Sequence, residues 1–183
     1  MPEAHTMVDI ASKMACEAHA GHRRRYTKRP YVEHPQRVAA RVAAHPGSTL
    51  EMVAAAWLHD VLEDTAVSAE AIEEAVSPGV AALVRELTNP SKGSELPRAE
   101  RKAMDREHLA QISTEAKVIK MIDRLDNLAD LSSAPRPFRA LYAMESERLA
   151  EAIGDADAAL REELVAAARR YAYGGGPAPG SEE

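Results

Sequence analysis

Within AAWLHDVLEDT, His59-Asp60 is followed at once by Glu63-Asp64, directly after the apolar run Val53–Leu58. An imidazole and three carboxylates in so short a stretch can ligate a cation and handle a proton. In a continuous helix, Glu63 lies one turn after His59 and Asp64 one turn after Asp60, on neighbouring faces. Four ionisable groups beside Trp57 and Leu58 are costly to gather unless their charge is offset, and a divalent cation would offset it.

Two other positions have the character of ligand donors. His34, in Tyr31-Val32-Glu33-His34-Pro35, stands where a loop enters a helix and can aim its ring into a cleft. Asp123 interrupts an otherwise apolar face in VIKMIDRLDNL. Two imidazoles and two carboxylates make a mixed nitrogen and oxygen set, which suits Mn²⁺ or Fe²⁺, and Zn²⁺ or Mg²⁺ less decisively. Open coordination positions then serve water and substrate oxygens.

The elements that must position these groups read as helices. The 183 residues are 45% hydrophobic, enough for one domain with a full core, and aromatics make up only 4%. Ala, Leu, Glu and Arg favour an all-α chain. Met7 to about Ala20 carries a helical apolar stripe, and GHRRRYTKRPY follows as a basic loop. A second helix, with Pro35 in its first turn, runs to about Ala44 before His45-Pro46-Gly47. A third, capped by Ser48 or Thr49, spans roughly Leu50 to Glu63. A short fourth opens at Ser68, and Val80–Leu87 makes a fifth after Ser77-Pro78-Gly79. Pro97 begins a charged helix to about Ile112, and Ser113 or Thr114 caps a long apolar-periodic one. Ala134-Pro135-Arg136-Pro137 interrupts, and Phe138–Ile153 and Asp155–Tyr173 follow. The reading is a single all-α bundle of about eight to ten helices over residues 1–173, with 174–183 (GGGPAPGSEE) expected as a disordered tail.

A net charge of −6 argues against non-specific nucleic-acid binding, and no apolar run is long enough for a membrane span. No signal peptide is visible in MPEAHTMVDI. The one cysteine, Cys16, forms no intrachain disulfide; it is expected as a buried structural thiol, in keeping with a cytoplasmic protein.

The segments RRRYTKRPYVEHPQRVA, AAWLHDVLEDT, LVRELT, LPRAERK and VIKMIDRLDNLADL, over about residues 5–131, resemble the HD-domain phosphohydrolases. Their flanks resemble the small alarmone hydrolases of the stringent response in particular. The resemblance implies an all-α HD domain, a Mn²⁺ ion, and removal of the 3′-pyrophosphate from guanosine tetra- or pentaphosphate. His34, His59, Asp60 and Asp123 match the family's metal ligands, and Glu63 and Asp64 its catalytic acidic pair. This agrees with simple chemistry: a metal lowers the pKa of its water, and a neighbouring carboxylate accepts the proton. A strongly anionic substrate requires cations. Arg24 and Arg25 align with the family's pyrophosphate-binding pair, and Lys28 lies in the same loop. Arg98 and Lys102 match a basic segment near the substrate phosphates, Asn127 a residue facing the cleft, and Tyr142 is expected to close the pocket.

Two positions depart from the family pattern. Asp126 stands where His or Tyr is usual, and Ala129 where Arg is usual, both expected on the nucleoside side of the pocket. The competing functions are hydrolysis of another phosphorylated nucleotide, such as an adenosine alarmone or the 2′-phosphate of NADPH, and a non-enzymatic nucleotide-sensing or toxin-neutralising role. The sequence sets no oligomeric state.

Overall fold

A computed structural model describes residues 6–173, so the expected tail at 174–183 lies outside the described residues. Among those described, ten α-helices and one 3₁₀ turn occur in the order α1 Met7–Ala18, α2 Glu33–Ala43, α3 Leu50–Leu58, α4 Val61–Asp64, α5 Ala69–Ala75, α6 Pro78–Leu87, α7 Arg98–Gln111, α8 Thr114–Ala129, the 3₁₀ turn Asp130–Ser133, α9 Arg136–Ile153 and α10 Ala158–Tyr173. The only β-type pairing among them is an isolated bridge between Arg23 and Pro30 in the basic loop. None of these helices is long and apolar enough to cross a membrane.

Helix starts follow the local chemistry of capping. Thr6 and Asp9 form a reciprocal capping box on α1. Thr49, Ser68, Ser77 and Ser113 each accept a backbone N–H at the start of α3, α5, α6 and α8. Pro78 occupies the first turn of α6, two residues before the expected start at Val80.

The bundle is organised around α3 and α8. Ala54, Ala55 and Ala56 are fully buried, and these small side chains let α3 lie close to α1, α2, α6 and α8. Helix α8 packs against α2, α3, α6, α9 and α10 and is buried from Ala116 to Leu125 without a break. A helix enclosed on all sides should be apolar all round. Lys117, Lys120, Asp123 and Arg124 break that rule, and each therefore needs a specific partner. The apolar remainder carries the stability. Truncating fully buried Ile119 to Ala is expected to cost about 2–5 kcal/mol, read as a lower urea midpoint at unchanged slope.

Two sequence expectations are corrected. Leu50–Glu63 is not one helix: α3 stops at Leu58, His59 and Asp60 form a turn, and α4 restarts at Val61. The cause is side-chain bonding at the junction. His59 Nδ1 reaches the carbonyl of Ala56 at 2.8 Å, and Tyr31 donates to Asp60 at 2.6 Å. Cys16 is exposed rather than buried, because the inward stripe of α1 runs through Ala11 and Ala15, and Cys16 lies about 100° round the helix from Ala15.

Candidate active site

Three separated segments meet at one point: the start of α2, the α3–α4 turn and the middle of α8. His34 Nε2 and His59 Nε2 face each other at 3.2 Å. Asp60 Oδ2 lies 3.0 Å from His59 Nε2 and 3.5 Å from His34 Nε2. Asp123 Oδ1 lies 3.1 Å from His34 Nε2 and 3.5 Å from His59 Nε2. Donor atoms of His34, His59 and Asp60 all fall within 4.8 Å of one another, a spacing one metal ion can span.

The donor set fits a divalent cation by how the rings are held. His59 Nδ1 is fixed by the Ala56 carbonyl, and His34 Nδ1 by Asp126 Oδ2 at 2.6 Å. With both Nδ1 atoms bonded outward, both Nε2 atoms point at the common centre. Carboxylate or carbonyl support behind a ligating imidazole is the usual arrangement at metal sites. Burial alone would favour neutral imidazoles. Bonds from His34 to Asp123, Asp126 and Asp60 outweigh it and lift its pKa to about 9. His59 is likewise raised, with burial opposed mainly by the charges of Asp60 and Asp123. Burial would raise Asp60 and Asp123, yet both are held well below the usual carboxylate range, Asp60 chiefly by His59 and Asp123 chiefly by Lys120.

The acidic pair lies just beyond. Glu63 is half-buried, its Oε1 accepts the Asn89 backbone N–H at 2.6 Å, and burial raises its pKa. Asp64 is exposed, bonds Lys92 Nζ at 2.8 Å, and shares the Tyr31 hydroxyl with Asp60 at 3.4 Å. Asp60 and Asp64 keep the expected one-turn relation, the Asp64 backbone N–H donating to the Asp60 carbonyl at 3.0 Å, and their carboxylates also share the Tyr31 hydroxyl; the Glu63 N–H donates to the Asp60 carbonyl at 3.1 Å rather than to His59.

Beside this centre is a cavity of about 270 Å³ lined by the basic loop (Arg23, Arg24, Arg25) and the aromatic rings of Tyr26, Tyr31, Phe138 and Tyr142. Asn127 joins cavity and centre: Nδ2 donates to Asp123 at 2.6 Å, and Oδ1 accepts from Arg24 Nη2 at 2.6 Å. Arg24 also bonds Asp130 at 2.9 Å. Arg24, Arg25, Asn127 and Tyr142 thus share one cavity. Lys28 does not line it; with φ at 60°, it turns its ammonium back to the Arg25 carbonyl. Arg98 and Lys102 line a second cleft between α7 and α9. There Arg98 makes a paired contact with Glu145 at 2.8 Å for both bonds, and Lys102 lies 3.3 Å from Asp105.

Asp126 does not line the arginine-bearing cavity. Three residues after Asp123, it turns under His34 and is gripped by Arg37 through bonds of 2.7 and 2.8 Å. Its charge stabilises the His34 ring from behind. Asp126→Ala is expected to weaken metal affinity about 10- to 100-fold with the fold retained, measured by competition with a fluorescent chelator. Tyr31, Arg37, Lys120 and Arg124 are further members of the site that motif spacing does not single out. The available signal for the last two was charge inside the long apolar periodicity of α8.

Residues 11–153 match the family model described as the HD domain. The chain is 39% identical over 124 residues to the guanosine-3′,5′-bis(diphosphate) 3′-pyrophosphohydrolase MESH1 of Xenopus tropicalis, covering 66% of this chain and 67% of that one. It is 39% identical over 128 residues to the Drosophila melanogaster protein of the same name, covering 66% and 70%. A solved structure, described as a metazoan ortholog of SpoT that hydrolyzes ppGpp and plays a role in starvation responses, superposes with a TM-score of 0.81 at 30% identity, covering 95% of this chain and 99% of that one.

Proposed function

The chain belongs to the HD-domain family, and from that membership we propose that it is a metal-dependent hydrolase removing the 3′-pyrophosphate of guanosine tetra- or pentaphosphate, with Mn²⁺ as its ion and GDP or GTP and pyrophosphate as products. The observation that carries this reading is the convergence of His34, His59, Asp60 and Asp123 on one point, with a second acidic pair and an arginine-lined cavity beside it.

His34 and His59, with Asp60 and Asp123, would hold the ion through two ring nitrogens and two carboxylates. A divalent cation there supplies Lewis-acid activation of water and of a phosphoryl oxygen. Glu63 accepts the proton of the attacking water, and the burial that raises its pKa makes it a stronger base than an exposed glutamate. Asp64 acts jointly with it, placed by Lys92 and by the Tyr31 hydroxyl. Water oxygen bonds to the phosphorus carried on the ribose 3′ oxygen, the bond to that oxygen breaks, and a proton passes to it. Arg24 and Arg25 offset the negative charge of the substrate, and Arg24 is oriented by Asp130 and Asn127. The rings of Tyr26, Phe138 and Tyr142 give the nucleoside an apolar wall.

The test is Mn²⁺-supplemented hydrolysis of guanosine tetraphosphate, its adenosine counterpart and NADPH, with chelator controls and product chromatography. GDP and intact pyrophosphate from the guanosine substrate support the proposal. Orthophosphate release, or turnover of NADPH or the adenosine nucleotide alone, would replace it with the corresponding nucleotide hydrolase.

A further inference from the structure

Arg124 follows Asp123 directly on α8 and is only 9% exposed. Its Nε and Nη1 are enclosed and meet no acceptor. Its guanidinium instead lies over the Tyr142 ring, 4.5 Å from the centroid. The neighbouring cations are matched differently. Lys120, one turn earlier, sits 2.8 Å from Asp123. Lys102 contacts Asp105, Lys117 contacts Asp155, and Arg98 contacts Glu145. Arg124 has no such carboxylate among the described residues.

Arginine cannot discharge itself by losing a proton, so an enclosed and unmatched guanidinium is destabilising. Its contact with Tyr142 offsets only part of that. The surroundings are also short of negative charge: burial and then the nearby charge of Arg124 push the Lys102 ammonium below its ordinary pKa. An anion arriving from outside would relieve this arrangement. Tyr142, on which Arg124 stacks, lines the cavity that also holds Arg24 and Asn127, and Asp123 belongs to the four-residue centre.

We propose that Arg124 is a phosphate-binding residue of this site, taking a phosphate of the nucleotide or of the released pyrophosphate. This rests on the pyrophosphohydrolase reading of the site.

The test uses the full-length Mn²⁺-loaded protein, titrated separately with inorganic pyrophosphate and with guanosine diphosphate. Arg124→Gln is expected to weaken binding of one of them at least about tenfold, the usual consequence of losing a charged hydrogen bond. Arg124→Lys should recover part of the loss. Loss for pyrophosphate places Arg124 on the leaving group; loss for the diphosphate places it on the nucleotide. The thermal midpoint of ligand-free Arg124→Gln should match or exceed that of wild type, since an unmatched buried charge has been removed. Both affinities staying within twofold of wild type would overturn the proposal. So would a lower midpoint with equal loss of both ligands, the mark of a purely structural residue. Wild-type turnover of guanosine tetraphosphate is measured in parallel. If it is absent while the pyrophosphate effect persists, the functional reading falls and the role of Arg124 stands.

Discussion

Replacing Glu63 by Gln and Asp64 by Asn together is expected to cut single-turnover hydrolysis by roughly 10²- to 10⁴-fold, the range for loss of a positioned general base. Neither side chain belongs to the four-group centre, so metal stoichiometry should stay at the wild-type value. The substitutions are chosen to preserve local bonds. At position 63 the amide oxygen of the replacement can still accept the Asn89 backbone N–H, as Glu63 does at 2.6 Å. At position 64 the replacement's amide oxygen can still accept from Lys92. The two positions should not weigh equally. Glu63 is half-buried with a raised pKa, whereas Asp64 is exposed and already neutralised by Lys92, so Glu63→Gln alone should account for most of the loss. The check pairs quenched-flow product formation with a Mn²⁺ titration of each variant. Turnover within threefold of wild type in the double variant would remove the acidic pair from the chemistry.

Asp123→Asn is expected to abolish stabilisation by metal. An ion present at about one hundred times its dissociation constant stabilises the folded state by roughly 2.7 kcal/mol, which for a chain of this size raises the midpoint by about 5–10 °C. The variant should show almost none of that rise. It also leaves the Lys120 ammonium, now 2.8 Å from Asp123 Oδ2, without its counter-charge inside the bundle. The ligand-free midpoint should therefore fall as well, because breaking one half of a buried ion pair is strongly destabilising. Differential scanning fluorimetry with and without Mn²⁺ separates the two effects. A full metal-induced rise in Asp123→Asn would mean that the ion binds without this carboxylate.

Helix identity was largely readable from apolar spacing; residue type marked the cap at Ser68 and narrowed two others to adjacent pairs, Ser48 or Thr49 and Ser113 or Thr114, of which the structure uses Thr49 and Ser113. The break at His59–Asp60 was not. No Gly or Pro marks it; the His59 ring engages the Ala56 carbonyl and the distant Tyr31 hydroxyl fixes Asp60, side-chain contacts that local propensity does not register. The four converging groups were legible because each is a ligand-type residue at an abrupt change of polarity. Their supporting residues were harder. Asp126 stood out only as a departure from a family pattern, and its position under His34 depends on how α8 lies against α2. Arg98 carried a phosphate-binding expectation from a basic segment, but in the folded chain its guanidinium is joined to Glu145, a residue distant in sequence. Lysine and arginine positions in a sequence do not disclose which carboxylate each will meet.

The most direct measurement is anomalous diffraction at the manganese edge from crystals grown with Mn²⁺. A single dominant peak is expected between His34 Nε2 and His59 Nε2, within coordination distance of Asp60 and Asp123. Crystals loaded with manganese whose peak lies elsewhere, with the two imidazoles still facing each other across unfilled density, would contradict the account.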